Sequence, residues 1–319
     1  VWKRGLGVSK YDGIVSPAYS VFYFKKNCIP EYFNYLFRTD EYVTEFTRNS
    51  TGIIMSRLRL YDDSFGSIFS LLPPLKEQQL IAQYLDKKTY QIDSLIEKIN
   101  KKIQILKEHR IVIINQYLTK GLEQNSEMKD SGIEWIGLIP AHWNVDRVGR
   151  TTYVKGRIGW KGLRSEDFID EGPFLITGTD FHEGSINWKN TYHVNTERYE
   201  EDPFIILKEN DVLITKDGSI GKVAYVNKLP GPTTLNSGIF VTRPLKNKYL
   251  QRYFFWIISS NIFKEFIDYN SSGSTILHLY QNVFERFFFP LPPDLDEQKK
   301  ISNILDKKIT KIDLLIKKH

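Results

Sequence analysis

Between residues 76 and 120 the chain keeps a seven-residue rhythm of apolar and charged positions. One core position holds Leu85, Ile92, Ile99, Leu106 and Ile113, the other holds Ala82, Thr89, Ile96, Ile103, Arg110 and Tyr117, and Lys and Glu fill most of the remainder. Residues at this spacing share one face of a helix, so the pattern predicts a coiled-coil seam on a helix from about Lys76 to Lys120. Such a helix is roughly 65 Å long. Pro73-Pro74 stand just ahead of it, and Gly121 follows as a C-cap. The rhythm returns 220 positions later, where Glu77-Gln78, Ile81, Leu85 to Lys88, Ile92-Asp93 and Leu95-Ile96 are answered by Glu297-Gln298, Ile301, Leu305 to Lys308, Ile312-Asp313 and Leu315-Ile316. Leu305 and Ile312 then share one seam position, and Ser302, Ile309 and Ile316 the other. Two stripes in one chain can cover each other, which predicts an intramolecular antiparallel pair, with self-association of single helices as the competitor.

Between the helices the period changes. "PFLITGTDF" (residues 173–181), "DVLITKDGSIGKVAYV" (211–226) and "SGIFVTRPL" (237–245) are β-branched and aromatic runs broken by Gly, Pro and Asp, and predict strands; "KYLQRYFFWIISSNIFKEFI" (248–267) predicts a helix. Residues 1–72 echo only the later part of this arrangement. "YFNYLFRTDEYVTEF" (32–46) lies where that helix belongs, Ser50-Thr51-Gly52 answers Ser271-Ser272-Gly273, and Tyr61 and Phe65 answer Tyr280 and Phe284. So long a period, alike mainly at its end, is not a short-repeat solenoid; it implies two divergent modules, each followed by the same helix. The expected organisation is the C-terminal half of a first module (1–72), a long helix (73–121), a polar linker (122–132), a complete second module (133–291) and the start of a second helix (292–319). Val1 without an initiator Met, and an end at His319 in mid-pattern, read as a chain cut at both ends. The fold class expected is mixed α/β, with β-rich α/β modules joined by long coiled-coil helices.

Composition narrows the function. With 41% hydrophobic, 26% charged and 14% aromatic residues in 319, the chain is globular rather than disordered, and it has no apolar run long enough to span a membrane. A single cysteine, Cys28, rules out an intramolecular disulfide and fits a reducing cytoplasm. A net charge of +6 favours a polyanionic partner. Catalytic signatures are missing: the six histidines are scattered with no cysteine partners, so neither a metal nor a cofactor is expected, and neither Asn-Pro-Pro-Tyr, Asp-Pro-Pro-Tyr nor Gly-x-Ser-x-Gly occurs. "DGSIGK" (217–222) lacks the first glycine of a phosphate loop, since Lys216 stands there, and reads as a tight turn between strands. "PDLDEQK" (293–299) crowds acids at a helix start, where Asp294 or Asp296 serves as an N-cap better than as part of a metal-dependent nuclease site. "YFFW" (253–256), Trp135 and Trp143 read as core.

Taken together, the two "PP…EQ…LDKK…ID" helix starts, "DSGIEWIGLIPAHW" (130–143), "DVLITKDGSIGKVAYV" and "GVSKYDGIVSPAYSVF" (7–22) resemble the specificity subunits of type I restriction-modification systems over nearly the whole chain. The resemblance implies a non-catalytic reader of double-stranded DNA in which two target-recognition domains each read half of a split site. Antiparallel helices hold the domains apart, two adenine methyltransferase subunits bind the scaffold, and restriction nuclease-translocase subunits join for cleavage. A recognition region cut from a fused restriction-methylation enzyme is the alternative within DNA biology; a coiled-coil protein-interaction scaffold is the alternative outside it.

For DNA contact the sharpest stretch is "YVKGRIGWKGLR" (153–164), which supplies Lys155, Arg157, Trp160, Lys161 and Arg164 on a Gly-rich segment. Such cations neutralise phosphates, and a well-placed Arg bonds guanine with two hydrogen bonds. Thr177, Thr179 and Asp180 form a second polar cluster; Lys216, Asp217, Ser219 and Lys222 around the Gly-rich turn form a third. The ordinary reading of each is a solvated loop or turn chemistry. In the half module Lys3, Arg4, Lys10 and Tyr19 are weaker candidates.

Overall fold

The computed structural model describes residues 5–24, 28–53, 58–123, 125–157, 167–271 and 278–318. The chain forms two compact units, Val1–Lys101 and Lys102–His319. The first holds α1 (Pro30–Leu36), α2 (Asp40–Arg48), α3 (Asp62–Gly66) and the larger part of α4 (Leu75–Lys120), which continues into the second unit. Residues 5–24 form neither helix nor strand and expose Tyr11, Ile14 and Tyr23. Tyr32 and Phe33 of α1 bury against Ala82 and Ile81 of α4, and Phe46 of α2 is enclosed by Phe37, Tyr42 and Phe65.

The second unit contains β1 (Met128–Asp130), β2 (Leu138–Pro140), β3 (Asn144–Arg147), α5 (Val148–Thr151), β4 (Thr152–Lys155), β5 (Phe168–Ile176), β6 (Phe181–His182), β7 (Ser185–Ile186), β8 (Tyr192–Val194) and α6 (Thr196–Glu200). It continues through β9 (Val212–Thr215), β10 (Val223–Tyr225), β11 (Thr233–Leu235), β12 (Ile239–Pro244), α7 (Gln251–Ile258), α8 (Asn261–Ser271), α9 (Gln281–Phe284), β13 (Phe288–Leu291) and α10 (Leu295–Lys317). An antiparallel sheet runs β10-β9-β12-β4; beside it, β11 pairs parallel and β8 antiparallel with β5. β9 is buried at every position and β12 at its first four, consistent with central strands whose apolar runs lack alternation.

Two boundaries differ from the sequence expectation. Met128–Asp130, read as linker, pair with β2, because Ser131 N donates to Gly137 O and closes a hairpin. The helix predicted over 248–267 is broken into α7 and α8 at Ser259-Ser260, where the Ser260 hydroxyl donates to Ile257 O at 2.6 Å. The first unit breaks in the corresponding place, between α1 and α2.

Within the second unit, the end of α4 and α10 lie antiparallel. Arg110 meets Asp313 at 3.2 Å and the Lys308 ammonium stands over the Tyr117 ring, so residue numbers rise along one helix as they fall along the other. Ile113, Ile114 and Leu118 share a core with Ile301, Leu305, Ile309 and Ile312 and with Tyr253 to Ile258. Asp294 caps α10 by accepting from Asp296 N at 2.9 Å. Upstream in α4, Ile92 and Ile96 of the same heptad pattern are exposed.

Candidate nucleic-acid interface

Sheet register gathers four connections at one end of the second module. Thr215, at the end of β9, pairs with Ile239 at the start of β12; Lys155, at the end of β4, pairs with Val241; Ile176 and Leu235 end β5 and β11 side by side. The connections after β4, β5, β9 and β11 therefore leave together. Cross-bonds tie them: Lys216 N donates to Gly238 O at 2.8 Å, and Asn236 N to Ile176 O at 2.9 Å. A Cβ built on Gly178 would lie 3.2 Å from the Thr215 methyl.

The Gly-rich turn is a hairpin connection between β9 and β10, held from its root by Thr215. Its N–H donates to Lys222 O, its carbonyl accepts from Gly221 N, its hydroxyl donates to Ser219 O at 2.5 Å and accepts from Lys222 N at 2.9 Å. Gly218 (φ +65°) and Gly221 (φ +80°) adopt the left-handed backbone the turn needs. Asp217, Ser219 and Lys222 are exposed on it. Lys216 is half-buried with its ammonium 5.1 Å from the Phe240 ring; burial pulls its pKa down, partly opposed by Asp217. Asp217 also holds His278 Nδ1, and Leu279 N donates to Lys216 O, which adds residues 278–279 to this end.

Of the expected contact residues, the structure places Lys155, Thr179, Asp217, Ser219 and Lys222 exposed and Thr177 and Lys216 half-buried at this end. Trp160, Lys161 and Arg164 lie outside the described residues. Asp180 is buried and faces inward: its carboxylate accepts from Thr177 N at 2.7 Å and from the Thr177 hydroxyl at 2.8 Å, so it builds the turn and presents Thr179.

Arg157 requires a correction. It is 1% exposed, with Nε donating to Leu235 O at 3.0 Å, Nη2 within 3.3 Å of Thr234 Oγ1, and Nη1 3.6 Å from Glu201 Oε2. Gly156 lies so close to β12 that a Cβ there would come 2.7 Å from the Ile239 carbonyl oxygen, and Arg157, next in the chain, is already against β11. Burial depresses its pKa, opposed first by Glu201 and then by Asp202. A guanidinium committed to these groups is a structural cation and not a phosphate contact. Sequence reasoning passed over Thr215, Asn236, Ser237 and His278 at this end. The turn-forming "NSG" between two strands signalled Asn236 and Ser237; no local pattern marked His278.

The arrangement offers exposed ammonium groups, hydroxyls and a carboxylate on loops borne by one end of a sheet, the kind of groups that meet phosphates and base edges. Comparison with known proteins agrees in kind. The chain is 30% identical over 245 residues to the MjaX type I restriction enzyme specificity subunit of Methanocaldococcus jannaschii, covering 77% of this chain and 52% of that protein. It is 25% identical over 247 residues to the MjaVIII specificity subunit of the same organism (76% and 55% covered) and 26% identical over 161 residues to the EcoBI specificity subunit of Escherichia coli (49% and 34%). It thus spans about half the length of the Methanocaldococcus relatives. Among solved structures, a chain of a type I R-M system described for its complex assembly and conformational transition superposes with TM-score 0.66 at 16% identity, covering 90% of this chain and 65% of that one. The HsdS subunit of Thermoanaerobacter tengcongensis gives 0.52 at 16% identity, covering 92% and 65%; both likenesses concern the fold. Residues 159–319, half of the chain, match the family described as type I restriction modification DNA specificity domain, and the chain belongs to that family.

Proposed function

We propose that this chain acts as a non-catalytic DNA sequence-specificity subunit of a cytoplasmic type I restriction-modification complex. The second module reads one half of a bipartite duplex site through the loop end defined by Lys155, Thr177, Thr179, Lys216, Asp217, Ser219 and Lys222, with Trp160, Lys161 and Arg164 of the adjoining segment as further contacts. The helices scaffold two adenine methyltransferase subunits, and nuclease-translocase subunits join this assembly. The observation that carries the reading is the convergence of four connections with exposed lysines at one sheet end, in a chain of this family.

Salt dependence tests it. Replacing both Lys155 and Lys222 by Ala removes two phosphate-neutralising charges, and the slope of log binding constant against log salt should fall in magnitude by about 2. An unchanged slope overturns the assignment of this face. Co-expression with an adenine methyltransferase subunit of a type I restriction-modification system, followed by mass measurement of what co-purifies, tests the scaffold role.

A further inference from the structure

One carboxylate on the β9–β10 turn is held by a second stretch of chain. Asp217 and His278 form an antiparallel bridge, Leu279 N donates to Lys216 O at 2.7 Å, and Leu279 is buried in the core. Residues 278–279 are therefore fixed beside the start of the turn. On that frame His278 Nδ1 meets Asp217 Oδ1. An ionised carboxylate only accepts, so Nδ1 carries the hydrogen and donates it. The imidazole is in turn packed against Tyr280, whose ring centroid lies 4.6 Å away. Asp217 also lies against the turn Asn236-Ser237-Gly238, where a Cβ built on Gly238 would stand 3.6 Å from both Cβ and Oδ2 of Asp217. The Asp217 side chain remains 42% exposed, and its Oδ2 has no hydrogen-bond partner among the described residues.

We propose that Asp217 is a specificity-determining residue whose second carboxylate oxygen accepts from a base amino group in the major groove, cytosine N4 or adenine N6, and that His278 is the positioning residue that aims it. This role rests on the DNA-reading function proposed above. A carboxylate set among the exposed Lys155 and Lys222 adds nothing to phosphate affinity, because the backbone charges repel it. What it can take from a duplex is an N–H, and in the major groove only those two amino groups supply one. Orientation decides how well it does so. A free aspartate side chain turns about two bonds, whereas the bond to His278 confines one oxygen and so directs the other, which lowers the ordering cost on binding.

The full chain is passed over a pool of random duplexes, and the sequences it enriches are compared with those of its variants. Asp217→Ala should lose base preference at a single position, by roughly five- to fiftyfold, at an unchanged salt slope. His278→Ala should relax the same position by roughly three- to tenfold. His278→Asn should restore it, because its amide nitrogen, like Nδ1, is bonded to Cγ; His278→Gln, with the nitrogen one atom further out, should not. Unaltered preference in His278→Ala, or relaxation that Asn fails to rescue, overturns the positioning role. Duplexes are then made in which the base at that position lacks its amino group, a pyrimidinone for cytosine or unsubstituted purine for adenine. The deletion should weaken binding by the parent about tenfold more than binding by Asp217→Ala, and the analogue that does so names the base. Equal losses in the two proteins overturn the inference, as does full preference at every position in Asp217→Ala. A parent chain that enriches no sequence defeats the DNA reading itself, and this role with it.

Discussion

The two junctions where a module meets its long helix repeat one device with different surroundings. In the first unit Ile29 N donates to Gln78 Oε1 at 2.9 Å and Gln78 Nε2 donates to Pro73 O at 2.7 Å. In the second unit Leu250 N donates to Gln298 Oε1 at 2.8 Å and Gln298 Nε2 to Pro292 O at 2.9 Å. Both glutamines are fully buried. Tyr32 donates to Leu71 O in one and Tyr253 to Pro290 O in the other; the helix carboxylate holds Tyr35 at Asp86 in one and Trp256 Nε1 at Asp306 in the other. Charge is where they part. Arg252 forks onto Asp306 and lies over the Phe255 and Tyr225 rings, and the residue 221 places earlier is Glu31. Lys317 likewise pairs with Glu183, and 220 places earlier stands Glu97. The polar bonds to backbone are common to the copies, and the ion pairs are particular to one.

This contrast can be broken most decisively at the glutamines, because only a side chain with both a donor and an acceptor serves both partners. Gln298→Leu leaves the Leu250 N–H and the buried Pro292 carbonyl unmatched and should cost about 2–4 kcal/mol, with Gln78→Leu costing about half as much, because Pro73 is only half-buried where Pro292 is buried. Amide exchange at Leu250 and Ile29 reads each unit separately; equal losses would break the comparison. The charges come next. Arg252→Met should destabilise the second unit by about 1 kcal/mol, since both partners are near one-third exposed, while Glu31→Arg should gain a few tenths in the first. Denaturant midpoints check both signs. The smallest effect is expected at Lys317, whose ammonium holds the Glu183 carboxyl below the ordinary glutamate range. A depressed folded pKa gives stabilisation that is present above the ordinary value and is lost as pH falls through the folded one. Lys317→Ala should therefore flatten the acid side of the stability profile, and added salt should erase the difference.

Much of the architecture was legible before any coordinates. A heptad rhythm with flanking prolines placed α4 within one residue of its start, and the turn chemistry of "DGSIGK" placed the β9–β10 hairpin. Local pattern failed where a side chain's direction depends on distant chain. Arg157 sits among glycines and lysines and reads as solvated, yet its partners Leu235 and Glu201 lie far along the sequence. Asp180 reads as a turn polar group and is one, but it faces inward. Gln78 and Gln298 stood inside the repeat all along; the heptad logic that made their neighbours visible had no use for a buried amide.

The root of the β9–β10 hairpin separates two kinds of inheritance. Backbone groups, the Thr215 hydroxyl and two left-handed glycines hold the turn's frame, and none of its bonds among the described residues uses the side chain of Ser219 or Lys222. Descendants of this gene can therefore rewrite what the turn displays, one codon at a time, without relearning how to make it.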